Sequence, residues 1–494
     1  MSDTIEDSNV TRHLCAAAYL DDRFADRVVR ELLTSGLRAV ACSPGTDVAN
    51  VLAHCLTACH RRQQRDITIL LVASLSITLS FVSKWALVPG VLAIYFLIVT
   101  DLNKTFKIVI THFAATKAET PLRTRHASEE WILRRLSAIR HAMHGNVSIY
   151  SGFSPFVGYG PQVSGWSFTI PLIAAKSSHE VNGTKGVIPF TSLELTADIR
   201  AQLKGTFKPG VGIQLRWDQL EGAVVEDRVF ASGNTLNGDF RLLPNRRRPP
   251  CISLNLNDLE DIASNLVGCP RHYLCIHVPS WAGKVVASTF LQVSTDQRML
   301  HIECARTILG PIPSKFRVAD RYPDGLPLRK QIALLGKGAA ALIPLTLAAP
   351  IRVARRANFS AGAASRYAKE ARRASDDHAY DYGARTSVRE LAADPNYHNY
   401  FQMQDAGKHL KITEQHILSA ILDFLDEHNI DTTEFRNNQL ITLLNQGIIQ
   451  SGGISIVGNQ AIGREATATQ RFGRPSDSQG QTPPPAARIL SIML

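Results

Sequence analysis

Cysteines and histidines crowd into two short stretches. His54, Cys55, Cys59 and His60 fall within HCLTACH, and Cys269, His272, Cys275 and His277 within CPRHYLCIH. Thiolates and imidazoles are the usual zinc ligands, and a thiol beside an imidazole is also the pairing of a cysteine nucleophile. In the first stretch Cys55 and Cys59 share a helical face, but His54 and His60 are badly angled for the same ion. Core cysteines with an interfacial histidine are the plainer reading. In the second, Cys275 and His277 point to one face of a strand, and HIEC adds His301 and Cys304. No C-x2-C pair is present, and pattern alone does not bring the two segments together. Cys269, His272, Cys275 and His277 therefore stand as a candidate metal site, with buried thiols as the alternative, and no cofactor is expected. G-x-x-x-x-G-K-[ST], G-x-S-x-G and H-E-x-x-H are absent, and LLGKGAAA lacks both the spacing and the hydroxyl of a phosphate loop. No residue is singled out as catalytic.

The elements that would position such groups begin with a membrane signal. Ile67 to Thr100 carries a single charge, Lys84. The 17 residues before it and 16 after it each reach about 25 Å as helix, slightly short of a hydrocarbon core of roughly 30 Å. The run predicts two transmembrane helices joined by a tight Ser83-Lys84-Trp85 turn. Pro89 falls in the first turn of the second helix, where a missing N–H costs little. Trp85 and Lys84 suit the headgroup level, and Ser76, Ser80 and Ser83 share one face that permits close helix packing. A buried hairpin in a soluble core is the alternative. Arg61, Arg62 and Arg65 precede the run and Lys104, Lys107 and Lys117 follow it, which predicts both termini in the cytoplasm and Lys84 outside. With 494 residues the chain has room for several domains. Eight cysteines are too few for a disulfide scaffold, in keeping with a cytoplasmic location. No early apolar run marks a secretory signal.

The remaining chain divides by pattern. Residues 1–66 read as an N-terminal helical segment, with YLDDRFADRVVRELLTSG as one helix ended by Gly36, and 101–145 as a helical connector. Residues 146–320 alternate as strands do in VSIY, WSFTIPLI, GIQLRW, AVVEDRVF, HYLCIHV, KVVASTFLQV and MLHIECARTIL. Asn182-Gly183 and Asn237-Gly238 are hairpin-type turn signals. SLELTADIRAQL and LNDLEDIASNL read as helices among them. The fold class expected is an α+β cytoplasmic domain with a two-helix transmembrane hairpin and a helical C-terminal module at 376–430. The segment 431–463 is poor in charge and repeats Asn-Gln-Gly-Ile as Asn-Gln-Ala-Ile; it reads either as a helix followed by an apolar hairpin or as β-segments able to stack between chains. Residues 464–494 have the composition of a disordered tail.

Residues 321–375 combine apolar and basic character. IALLGKGAAALIPLTLAAPIRVARR is long enough to span, yet a span would carry Arg352, Arg355, Arg356, Arg366, Lys369, Arg372 and Arg373 outside, against the positive-inside bias. An interfacial segment with those seven residues on an anionic lipid surface involves no such conflict. A helical arm packed on protein is the alternative. The net charge of +11 suits nucleic acid as well, but the adjacent lipid surface makes that partner the less expected one.

The stretches IYSGFSPFVGYG, SVRELAADPNYHNYFQMQD and FLDEHNIDTTEFRNNQ resemble uncharacterised predicted membrane proteins of actinomycete bacteria. That resemblance implies a bacterial plasma membrane and no particular activity. The segment Leu440–Gly463 is similar to the short amyloid motifs of immune signalling, although ISIVG departs from them where a glutamine would stand. The expectation is a membrane-anchored cytoplasmic interaction or signalling protein with a lipid bilayer and an unknown protein as partners, and self-association through 440–463. A membrane-bound enzyme with its site in the α+β domain is the other reading.

Overall fold

The computed structural model describes residues 9–114, 130–175, 186–206, 220, 222–265, 268–296 and 298–445. In chain order these form α1 (Asn9–Leu20), α2 (Asp22–Thr34), α3 (Val48–Ser80), α4 (Leu87–Phe113), α5 (Glu130–Met143), β1 (Val147–Tyr150), β2 (Gln162–Pro171), α6 (Ser192–Thr206), β3 (Val224–Ser232), α7 (Leu256–Ser264), β4 (Arg271–Ser280), β5 (Val285–Thr295), β6 (Met299–Leu309), α8 (Val318–Arg321), α9 (Leu328–Ala361), α10 (Ala363–Asp376), α11 (Val388–Leu391), α12 (Tyr400–Glu427) and α13 (Thr433–Asn445). Beyond Phe435 the chain forms a second unit, of which only the rest of α13 is described. The expected strand GIQLRW, the Asn182-Gly183 turn, the paired Asn-Gln repeats and the tail 464–494 lie outside the described residues.

The sheet has the order β1-β3-β4-β5-β6-β2. β4, β5 and β6 are a meander, β2 closes one edge antiparallel to β6, and β1 pairs parallel to β3. Alternation decides what each face meets. Leu274, Ile276 and Val278 of β4 join Leu291, Ile302 and the apolar stripes of α6 (Leu195, Ile199, Leu203) and α12 (Ile417, Leu418, Ile421, Leu425) in one core. The α12 stripe thus covers the sheet. Tyr273 and Cys275, on the other face, meet Phe156, Tyr159, Phe230 and Phe290 in an aromatic cluster. Phe156 and Tyr159 come from the Gly-rich loop that precedes β2. Gly158 and Gly160 there have positive φ, and a Cβ on either would lie 2.5 Å from the Cys42 carbonyl oxygen or 2.3 Å from that of Ile308. Glu390 accepts hydrogen bonds from both glycine N–H groups, at 2.8 and 3.2 Å, while completing a capping box with Ser387.

A helical module lies at the other end of the described chain's first unit. α1, α2, the first half of α3, the last turns of α4, α5 and the segment through Ile312, Phe316 and Ala319 share a core. The helix expected over Tyr19–Gly36 is two helices: Asp21 accepts hydrogen bonds from the backbone N–H of Arg23 and Phe24, which starts α2 afresh. Half-buried Arg135 donates to the carbonyls of Leu32, Ser35, Gly36 and Arg38, satisfying the end of α2. Asn237-Gly238 does form a turn, Gly238 with φ 100°, but within the loop between β3 and α7 rather than between two strands.

Candidate membrane-docking site

α3 runs without a break from the helical module into the apolar stretch. Its N-terminal half buries Val48, Val51, Leu52 and Cys55; beyond Ala73 its surface is bare except toward α4. The chain turns at Phe81–Ser83, passes a 3-10 turn at Lys84–Ala86 and returns as α4. Ser76 abuts Gly90, where a Cβ would lie 2.0 Å from the serine oxygen, so this contact requires glycine. Around this seam Leu71, Leu75, Ile77, Leu79, Val88, Val91, Leu92 and Phe96 all face outward, and at the tip Phe81, Val82 and Trp85 are 87, 88 and 81 % exposed. So much contiguous apolar surface in water is far beyond what soluble proteins leave open.

A ring of ion pairs closes the apolar part at its base. Arg61 and Arg65 bond Asp101 across the hairpin at 3.3 and 3.1 Å. The fully buried Asp66 accepts from Arg65 at 3.0 Å and from Arg352 at 2.8 and 3.0 Å, with Arg356 at 3.5 Å. Burial pushes the Asp66 carboxyl up, but the Arg352 hydrogen bond and the Arg65 charge outweigh it and hold it below the ordinary aspartate value.

Those last two arginines belong to α9, and their position fixes how α9 lies. Near its start the Leu335 carbonyl accepts from the Tyr95 hydroxyl, and a Cβ on Gly338 would lie 2.5 Å from Val99. Farther along, Ala349 joins Ile69, Ile94 and Ile98, and Arg352 reaches Asp66. From Leu335 to Arg352 is about 25 Å of helix. Ser76 beside Gly90 and Arg65 beside Asp101 set the hairpin register, so the contacted band, 66–73 of α3 and 94–102 of α4, is only about 12 Å tall. α9 therefore crosses the hairpin from α4 to α3 instead of running along it. α4 with its preceding turn and α9 are each long and apolar enough to cross a membrane by length and composition.

The seven residues expected on a lipid surface separate into two groups. Arg352 and Arg356 are spent on Asp66, and Arg366 donates to the Asn358 and Phe359 carbonyls and stacks on the Phe359 ring at 4.5 Å. Arg355, Lys369, Arg372 and Arg373 are exposed. Asp66, which takes up Arg352 and Arg356, and Asp101, which takes up Arg61 and Arg65, were missed from sequence; the signal was two carboxylates bracketing a 34-residue run with one charge.

The candidate metal ligands are not brought together. Cys269 is exposed in a loop, His272 bonds Asp227 at 3.0 Å on the α6 side of the sheet, and Cys275 is buried in the aromatic cluster on the opposite side. His277 shares that opposite side, with Nδ1 2.9 Å from the Ser288 hydroxyl and Nε2 3.4 Å from Glu226, its ring stacked on Tyr159. His301 pairs with Thr169, and Cys304 is buried under α12. In HCLTACH, His54 meets the Tyr19 hydroxyl and burial lowers it to about 4, Cys55 is buried, and Cys59 donates to Asp26. Among the described residues no three His, Cys, Asp or Glu are grouped to hold a metal. Glu226 anchors a polar row that sequence reading passed over. Burial raises its carboxyl, but Arg228 at 2.9 Å and His277 bring it down to about 2. The Glu226–His277–Ser288 chain has the residue types of acyl transfer, but Ser288 is fully buried in mid-strand, out of reach of a substrate.

Fold and site together define an α+β protein that carries an apolar helical hairpin crossed by a third apolar helix. Residues 165–459 match the model of the AbeC-like domain, and the chain belongs to that family. The matched region takes in α9 and most of the sheet and leaves out the hairpin. No curated protein and no solved structure matches the chain.

Proposed function

We propose that this chain is a membrane-anchored protein that inserts the α3–α4 hairpin into a bilayer and holds its α+β domain against one face as a binding or signalling module. The observation that carries this is the bare apolar surface from Ile67 to Thr100, closed at its base by Arg61, Arg65, Asp66 and Asp101. Both arms of the hairpin return to the same helical core, through Val51 and Leu52 on one side and Val109 and Phe113 on the other. α1 and the sheet thus share one side of the bilayer. The basic residues at the base favour the cytoplasmic side of the plasma membrane. A Lys84 ammonium extended from a hairpin slightly shorter than the hydrocarbon core meets the far headgroups by snorkelling.

The test is made on intact cells expressing the full chain. A Lys84→Cys variant is expected to react with an impermeant maleimide from outside, while a reporter fused before Met1 reports the cytoplasm, and the protein resists alkaline extraction. A chain released by alkali, with Lys84→Cys protected, would show that the hairpin is covered by protein instead.

A further inference from the structure

Resting on that reading, we infer that α9 lies in the membrane plane, in the leaflet next to the α+β domain, and docks there on anionic phospholipid headgroups. It is as long and apolar as a span, but its packing forbids that direction. A helix that crosses the hairpin steeply within a 12 Å band (by the about 1.5 Å rise per residue) lies along the bilayer when the hairpin stands across it.

The faces of α9 agree with such a position. Leu334, Gly338, Leu345, Ala349 and Arg352 face the hairpin or its base. Leu328, Ile332, Leu335, Ile343, Leu347 and Ile351, between 45 and 73 % exposed, form one stripe on the side away from it. That stripe meets acyl chains beside the hairpin. Lys330, Lys337 and Arg355, all exposed, are spaced seven and then eighteen residues apart, about two and five turns, and so share a flank. An apolar stripe with basic residues along its flank is the pattern of a helix held at a headgroup boundary, and the sign of the flank selects anionic lipid. Pro344 and Pro350, inside the helix, are tolerable where neighbouring groups and interfacial water take up the freed carbonyls.

The experiment uses the full chain reconstituted in vesicles of phosphatidylcholine with and without phosphatidylglycerol. An environment-sensitive fluorophore is attached to single introduced cysteines at Phe81, Ile332, Ile343 and Ile351, with the labelling of the unsubstituted chain subtracted. Quenching by nitroxides placed at the headgroup or along the acyl chain gives depth. Ile332, Ile343 and Ile351 are expected at one shallow depth, with Phe81 immersed toward the opposite headgroups. If α9 spans, Ile343 lies near the bilayer centre while Ile332 and Ile351, about 28 Å apart, lie near opposite headgroups, and the inference falls. It falls equally if all three sit in water while Phe81 is immersed. If Phe81 also sits in water, the anchor itself is wrong. Headgroup-labelled phosphatidylglycerol is expected to quench the Ile332 label several-fold more than labelled phosphatidylcholine. The combined variant K330Q, K337Q, R355Q should bring that ratio near one with Phe81 still immersed. A ratio of one in the unsubstituted chain would overturn the anionic preference.

Discussion

Single carboxylates carry much of the organisation, and two of them yield predictions. Asp66 is fully buried among Arg65, Arg352 and Arg356. Asp66→Asn keeps the shape and removes the charge, leaving Arg352 without its anion and Arg65 and Arg356 with only Asp101 and Asp26. Breaking a buried pair costs about 3–5 kcal/mol; the arginines retain some solvent contact, so about 2 kcal/mol is expected, read as a lower denaturant midpoint in detergent. Glu226 predicts a pH effect. Its folded pKa of about 2 lies below the unfolded value of about 4.3. Its stabilisation is therefore complete above pH 4.3 and is lost as pH falls toward 2. Its side chain is about a third exposed, which reduces the contribution to about 1–2 kcal/mol. Glu226→Gln should flatten the stability profile between about pH 5 and 2 and leave its slope at higher pH unchanged. At this scale the sequence was misleading about metal. Cysteine and histidine density drew attention to CPRHYLCIH, yet strand alternation already separates His272 from Cys275 and His277, and the structure sends them to opposite faces of the sheet.

Among elements, the hairpin was legible because an apolar run with one charge has few other uses, and six strands of the sheet were legible as alternating runs. Strand order was not, since β2 pairs with β6 across more than a hundred residues. Nor was the crossing of α9: its apolar pattern is the same whether it spans or lies flat, and what sets its direction is contact with Tyr95, Val99 and Asp66. Two glycines mark where the helices must touch. Gly338→Leu would drive a side chain into Val99, and Gly90→Leu one into Ser76. Each is expected to destabilise by about 1–3 kcal/mol. Only the first should alter protease access to the loop before α9, measured by limited proteolysis in membranes.

Across the whole molecule, both arms of the hairpin and the chain leading to α9 meet in one helical core. Arg12 donates to the Phe113 carbonyl and to Asp320, tying the end of α4 to the turn before α9. Arg12→Ala should therefore loosen α9 and the hairpin base together. Exchange protection is expected to fall at both Val109–Phe113 and Val318–Arg321 while β4–β6 remain protected; loss confined to one of them would contradict the coupling.

The bond between Asp66 and Arg352 joins residues 286 positions apart, and that separation is also an interval in time. At about 5–20 residues per second of synthesis, Arg352 is made some 15–60 s after Asp66. On the anchoring proposed above, the hairpin would reach the bilayer with its lower collar half built, held by Arg61, Arg65 and Asp101. Under that proposal, nascent chains halted before Arg352 would be anchored but unfinished at the lipid boundary. Arrival of α9, with Arg352 and Arg356, is what completes the ring of charge around Asp66.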